Sequence, residues 1–336
     1  MNGLLGATLR RAYGLEAAEA VRVPTGTATA NYRVTDQDGG TWFAKVYRAP
    51  GALEPELAAM ELAEFARAGG VPVPEVRRTR DGGRITVEPL RMSLWTWVTD
   101  AGTAEGGLTG ARWPAVGAAL GRLHRHLATH PAAAPALRPG REASPVRRNR
   151  ARFDRMIAEY RRRGPADPFE AWALEAAEQR RDLLGRAVAL LAGLPPLTHQ
   201  IVHGDLASPN LLLRGDEVAA VIDFSPPRPR FTTWEIARIG LDPRTVLLGD
   251  HWLEGLPRLL AAYRQEHPAA RVDDLAATVR LGCACALAST YPLAEPLDHP
   301  EAVDESLRVY AKARHEAALI MLDRLEEAEE IVRGST

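Results

Sequence analysis

The sequence predicts an α+β fold of two lobes, a sheet-rich N-terminal lobe over residues 1–98 and a larger, mainly helical lobe over residues 99–336. Three observations predict it. Up to Val98, short runs of β-branched and aromatic residues recur between Gly, Pro and Asp punctuation. From Trp113 onward apolar residues fall at helical spacing. Inside the helical part, residues 201–224 (IVHGDLASPNLLLRGDEVAAVIDF) read as strand, polar loop and hairpin. With 336 residues, 46% of them hydrophobic, the chain has material for two cores.

The chemistry concentrates in residues 201–224. The loop from Asp205 to Asn210 is followed by apolar runs, Leu211 to Leu213 and Val218 to Ile222, joined by a polar, glycine-bearing turn. Asn210 and Asp223 are roughly symmetric about that turn, so an antiparallel pair sets them at one end of the hairpin. An amide oxygen and a carboxylate there suit Mg²⁺, which keeps several waters and takes few protein ligands. Asp205, on the same loop, is a carboxylate able to receive the proton of an attacking hydroxyl.

The string H-G-D-x4-N followed by I-D-F resembles the aminoglycoside phosphotransferase and choline kinase-like group, distant relatives of the protein kinases. The resemblance implies a protein-kinase-like fold and transfer of a γ-phosphoryl group from ATP. By it, Asp205 is the catalytic-loop base, Asn210 and Asp223 are Mg²⁺ ligands, and His203 supports the loop.

Taken in order, residues 1–21 read as a first helix packed on the N-terminal lobe; their arginines follow their first leucines, the reverse of a secretory signal. Residues 21–34 form a strand–turn–strand unit turning at Pro24, Thr25 and Gly26. In the resembling family it covers the nucleotide phosphates, which makes Gly26 and Thr27 candidate nucleotide contacts, although one glycine by itself is a weak signal. Thr41 to Tyr47 is a strand containing Lys45. The chain holds 42 Lys plus Arg, and only Lys45 and Lys312 are lysines, so a lysine here points to a compact charge reaching phosphates.

Glu54 to Ala68 reads as a helix, and kinase-like folds pair the strand lysine with a glutamate from it. Glu61 shares an arc with Leu57, Ala58 and Phe65 and is favoured on geometry; Glu56 matches the E-L start of relatives such as type II homoserine kinases. Residues 84–98 supply two strands ending in a hinge. In the family the adenine bonds to backbone there, which nominates Trp97 and Val98 and leaves GTP open beside ATP.

In the second lobe, residues 113–127 start the helices, and L-G-R-L-H ending at His124 matches a structural motif of the family. Eight arginines between Arg147 and Arg163 fit a solvated helix face or a surface for an acidic partner. Past Asp223, SPPRPR departs from the family pattern, and Trp234-Glu235-Ile236-Ala237 stands where relatives have tyrosine-aspartate-leucine-alanine. Arg228 and Arg230 at an acceptor site would repel a polycation and favour a carboxylate or an acidic peptide. A long helix is expected over residues 301–332. Cys283 and Cys285 suit neither a disulfide nor a metal and fit a reducing cytoplasm. A net charge of −1 and the lack of an 18-residue apolar run give no reason to expect nucleic-acid or membrane partners.

The reading is therefore an ATP- and Mg²⁺-dependent phosphotransferase acting on a small-molecule hydroxyl. Its rivals are a kinase of Ser or Thr in a precursor peptide and an inactive kinase-like binding module.

Overall fold

In the computed structural model, which describes residues 2–24, 29–47 and 53–335, the N-terminal region is organised around an antiparallel sheet. Helix α1 (Asn2–Thr8) runs on as a π-helical turn over Leu9–Tyr13 and stops at Gly14. Strands β1 (Ala17–Val23), β2 (Thr29–Asp36) and β3 (Thr41–Tyr47) precede helix α2 (Glu54–Ala68), and β4 (Val76–Arg77), β5 (Ile85–Thr86) and β6 (Met92–Thr96) complete the sheet. Its order is β1-β2-β3-β6-β4, with β5 also on β6. Alternation puts Val34, Ala44, Val46, Met92 and Leu94 on one face, where Leu5, Leu9 and Tyr13 cover them, so a first helix does pack on this lobe; it stops at Gly14, whose φ is +67°, and residues 17–21, expected to continue it, belong to β1 instead.

The β2–β3 turn follows from one side chain. Asp36 Oδ1 accepts from Gly40 N at 2.6 Å and Asp38 N at 3.1 Å, and its Oδ2 accepts from Trp42 Nε1 at 2.8 Å. The Trp42 hydrogen bond leads the interactions that hold the Asp36 carboxyl below the usual carboxylate range. The turn thereby sets the register that pairs Lys45 with Asn31 on one side and Ser93 on the other.

Beyond Val98 the chain is mainly helical. A short β7 (Gly102–Thr103) leads to α3 (Arg112–Leu127), β8 (Ala136–Pro139), α4 (Val146–Arg163) and α5 (Pro168–Ala192). Then come β9 (Pro196–Ile201), β10 (Leu211–Arg214), β11 (Glu217–Val221), β12 (Pro229–Phe231), α6 (Thr232–Gly240), α7 (Pro243–Val246) and α8 (His251–Glu266). Helices α9 (Val272–Ala276), α10 (Thr278–Ala288), α11 (Glu295–Asp298), α12 (Glu305–Asp323) and α13 (Leu325–Ser335) close the fold. Two three-stranded sheets, β11-β10-β7 and β12-β9-β8, sit within it.

The expected helix over residues 301–332 is two helices with a 3-10 turn, Pro300–Ala302, before them. Asp304 caps α12 by accepting from Leu307 N at 2.8 Å, which restarts the helix after the proline turn. A break at Arg324 seats Leu325 and Ala328 in the core, and Arg324 itself reaches Asp250 and Glu327. Cys283 and Cys285 are free thiols on α10, both pushed up to about 12 by burial, as expected of unreactive core cysteines. Among the described residues no helix is long and apolar enough to cross a membrane.

Candidate active site

The loop that ends β9 is held from beneath by one buried carboxylate. Glu235, on α6 and fully buried, accepts from His203 N at 3.0 Å and Gly204 N at 2.8 Å. The same carboxylate lies 2.9 Å from His124 Nε2, and His124 Nδ1 lies 2.9 Å from the Tyr263 hydroxyl. Burial works against ionising Glu235, but the His124 hydrogen bond and the neighbouring imidazoles outweigh it, so its pKa falls below the usual value.

The L-G-R-L-H motif explains how His124 gets there. A Cβ on Gly121 would stand 2.4 Å from Tyr263 O, so glycine lets α3 press against α8 and brings His124 within reach of both Tyr263 and Glu235. His203 is buried as well. Its Nε2 donates to Ile222 O at 2.9 Å, and its Nδ1 accepts from Asp205 N at 3.3 Å, which defines a neutral imidazole; burial lowers its pKa accordingly. The ring thus ties the Asp205 loop to the end of β11.

Two backbone positions shape this junction. Gly204 has φ +92° and faces Ser225 so closely that a Cβ would lie 2.8 Å from the serine Cβ. Asp223 adopts φ +62°, a conformation uncommon for a residue with a side chain, immediately after the hairpin. Ser225 N donates to His203 O at 3.0 Å, closing the loop upon itself.

The sequence-nominated residues converge here. Lys45 Nζ donates to Asp223 Oδ1 at 2.9 Å across 178 residues of chain. Burial pulls the Lys45 pKa down, but Asp223 and then Glu56 more than offset it, and the net shift is upward. Asn210 Nδ2 donates to Asp205 O at 2.9 Å, which leaves the amide oxygen as the group available to a cation. The hairpin register pairs Leu211 with Val221, and Ile222 N donates to Asn210 O, so Asp223 sits one residue past the position opposite Asn210. Hard oxygens from Asn210 and Asp223 fit a Mg²⁺ ion held jointly with phosphate. Among the described residues no group of three or more His, Cys, Asp and Glu forms a self-sufficient metal cage.

The helix glutamate needs correction. Glu56 Oε2 lies 3.8 Å from Lys45 Nζ, whereas Glu61 is exposed and pairs with Arg84 at 3.1 Å. The buried face of α2 runs through Ala59, Met60, Leu62, Ala63 and Ala66. Glu56 precedes Ala59 by three residues and shares that face, while Glu61 lies nearly opposite at 100° per residue. The small alanines, rather than Leu57 and Phe65, mark the packed side.

Trp97 and Val98 line the cleft with Met60, Val73, Leu212 and Ile222. Trp97 N already donates to Thr41 O at 3.1 Å, so this residue offers a base its carbonyl or its ring but not its amide hydrogen. Gly26 and Thr27 lie outside the described residues.

Arg238 was not singled out from the sequence. From the turn of α6 after Glu235, its Nη2 donates to Asp205 Oδ1 at 2.9 Å. Glu235 was noted only as a departure from the family string. The helical spacing of Glu235 and Arg238, one turn apart on a helix whose N-terminus follows the Asp223 loop, was the available signal. Arg230 also lines the cleft, but Arg228 is exposed and outside it. Four of the eight arginines of α4 have carboxylate partners: Arg152, Arg161, Arg162 and Arg163 meet Asp298, Glu178, Glu159 and Glu170.

Comparisons with known proteins bear on the fold and the family. The model of the phosphotransferase enzyme family matches residues 19–271. Among solved structures, a spectinomycin phosphotransferase bound to ADP and spectinomycin is 15% identical and aligns over 95% of this chain and 97% of its own, with a TM-score of 0.66. A microcompartment-associated aminopropanol kinase is 20% identical over 97% and 98% of the two chains, with a TM-score of 0.61. An amicoumacin kinase in complex with AMP-PNP, Ca²⁺ and its antibiotic is 15% identical over 93% and 91%, also with a TM-score of 0.61. At these identities the likeness establishes the kinase-like fold. No curated protein sequence matches the chain. The family match spans three quarters of the chain, including β3, α2, the Asp205 loop and the β10–β11 hairpin, and the chain belongs to the phosphotransferase enzyme family.

Proposed function

We propose that this protein transfers the γ-phosphoryl group of ATP, with Mg²⁺, to a hydroxyl group of a small molecule. The observation that carries the proposal is the meeting of Lys45, Asp223, Asn210 and Asp205 in one cleft of about 1370 Å³, a volume ample for a nucleotide and an acceptor together.

Each group has a role that its position supports. Asp205 has one oxygen fixed by Arg238 and keeps the other for an acceptor hydroxyl, which it orients and deprotonates. Lys45, steered by Glu56 and Asp223, meets the nucleotide phosphates as a point charge. Asn210 and Asp223 would hold the metal ion, which would supply neutralisation of phosphate charge. Arg238 remains beside the reacting oxygens and opposes charge that builds on the transferring group. Met60, Val73, Leu212 and Ile222, which line the cleft with Trp97 and Val98, would flank the adenine base. No covalent intermediate is needed, because positioning and charge stabilisation suffice for in-line transfer.

Two features of solved relatives support the nucleotide assignment: one is bound to ADP, and another to AMP-PNP with a divalent cation. The test is incubation with ATP and Mg²⁺ against pooled small alcohols, read by mass spectrometry as gain of a phosphoryl group on an alcohol and appearance of ADP. Transfer that disappears when the metal is chelated is the expected result. ADP formation at the same rate with and without every acceptor would count against the assignment.

A further inference from the structure

We infer that the acceptor is a small hydroxylated anion, a carboxylate or phosphate ester, recognised by guanidinium groups that line the far end of the cleft. The inference rests on the phosphotransferase reading and names the substrate class for that same site.

Five arginines from five separate elements line this end: Arg152 of α4, Arg230 of β12, Arg238 of α6, Arg244 of α7 and Arg314 of α12. Three have carboxylate partners. Arg238 bonds Asp205 at 2.9 Å, Arg244 bonds Glu105 at 2.7 Å, and Arg152 bonds Asp298. Arg230 and Arg314 have none within ion-pair distance among the described residues, and the Nε of each is buried without a hydrogen-bond partner.

Aromatic rings hold these cations flat. Arg230 and Arg238 each stand 5.0 Å from the Trp234 ring centroid, Arg244 stands 4.6 Å from Tyr310, and Arg314 stands 6.0 Å from Tyr291. Arg314 Nη1 donates to the Tyr310 hydroxyl at 3.2 Å, and a guanidinium set against a ring in this way can still offer its remaining N–H groups to a carboxylate or phosphate, which arginine binds through two oxygens at once. Behind Arg314 lies Arg180, only 2% exposed, which donates to the carbonyls of Ala286 and Arg314 and to His315 Nδ1 and meets no carboxylate. Burial, and then Arg314, push its pKa down to about 9. Burial followed by Arg228 and Arg238 likewise lowers that of Arg230. Both groups bear the mark of cations short of a counter-ion.

The carboxylates lining this end are Asp205, Asp242 and Glu105, and Arg238 and Arg244 engage them. A polycationic acceptor would therefore meet like charge at short range, a cost that discriminates strongly between partners. A negatively charged acceptor answers Arg230 and Arg314 and carries its hydroxyl toward Asp205, whose position Arg238 already fixes.

The experiment uses the full-length protein with ADP and Mg²⁺ present and titrates four probes by calorimetry: glycerate and glycerol 3-phosphate as anions, glycerol as the neutral match, and kanamycin as the polycation. At roughly millimolar concentration the anions are expected to bind and the other two not. Affinity for the anions should fall about tenfold or more in Arg230→Gln and in Arg314→Gln. Preference for glycerol or kanamycin, no binding by either anion, or anion binding unaltered in both variants would overturn the inference. ADP binding is measured in the same samples. Its loss in the unmodified protein would sink the phosphotransferase reading itself, whereas ADP binding without anion preference sinks only the substrate class, and ADP binding by the variants shows that they are folded.

Discussion

The two ends of the cleft carry opposite charge. At the proposed nucleotide end Lys45 faces two carboxylates, Glu56 and Asp223, and the local excess is negative, which suits the metal cation proposed there. At the acceptor end five arginines face four carboxylates, Asp205, Asp242, Glu105 and the Asp298 that partners Arg152. The difference teaches that one cavity can be read as two binding problems. The nucleotide end answers a demand common to phosphotransferases, and the acceptor end answers the demand of one particular substrate class.

Substitutions can break that contrast in graded steps. Asp205→Asn sits where the two ends meet and is expected to have the largest effect: kcat falls by about 10²- to 10⁴-fold while ADP affinity is retained. Retention of full kcat in that variant would remove Asp205 from the reaction. Next comes Glu235→Gln beneath both ends. The amide cannot accept three hydrogen bonds from His203 N, Gly204 N and His124, so unfolding free energy should drop by about 3 kcal/mol, measured by denaturant titration.

At the nucleotide end alone, Glu56→Gln should raise KM for ATP severalfold and Glu61→Gln should leave it unchanged. Glu61 holds only Arg84 at the surface, and a paired comparison of the two KM values decides between them.

The smallest effect is on stability against pH. His267 and His315, both in the helical lobe, are pushed down to about 4, by burial first and then by electrostatic repulsion from neighbours: His124 and Arg125 for one, Arg180 for the other. Their folded pKa values lie below the ordinary 6.5, so their contribution is complete above pH 6.5. As pH falls toward 4 the unfolded chain binds protons that the folded chain does not, and stability declines. Melting temperature should therefore fall over this window, and a His267→Gln, His315→Gln double variant should flatten the slope. An equal slope in the double variant would assign the acid sensitivity to other groups.

The elements of the nucleotide end were legible because each is a local pattern in sequence, although Lys45 and Asp223 meet across 178 residues of chain. Strand residues Thr41–Tyr47 and helix residues Glu54–Ala68 appear at the expected bounds, and β10 and β11 form the expected hairpin around its polar turn. The choice between Glu56 and Glu61 was not legible. It depends on which face of α2 is packed, and three alanines signal that face only once a neighbour lies against them. The last helix was read as continuous because Arg324 breaks no propensity rule. The break there comes from Leu325 and Ala328 entering the core and from the reach of Arg324 to Asp250.

By itself the sequence determined the antiparallel N-terminal sheet, the helical remainder and the chain-local pairing of Asp205 with Asn210 and of Asn210 with the Asp223 end of the hairpin, because hydrogen-bonded turns and strand alternation are short-range constraints. Only the tertiary structure decided that Glu235 anchors the Asp205 loop, that Arg238 grips Asp205, and that arginines from residues 152 to 314 share one wall. Their encounter depends on how helices pack, through close approaches such as Gly121 against Tyr263, and no spacing along the chain encodes a distance across it.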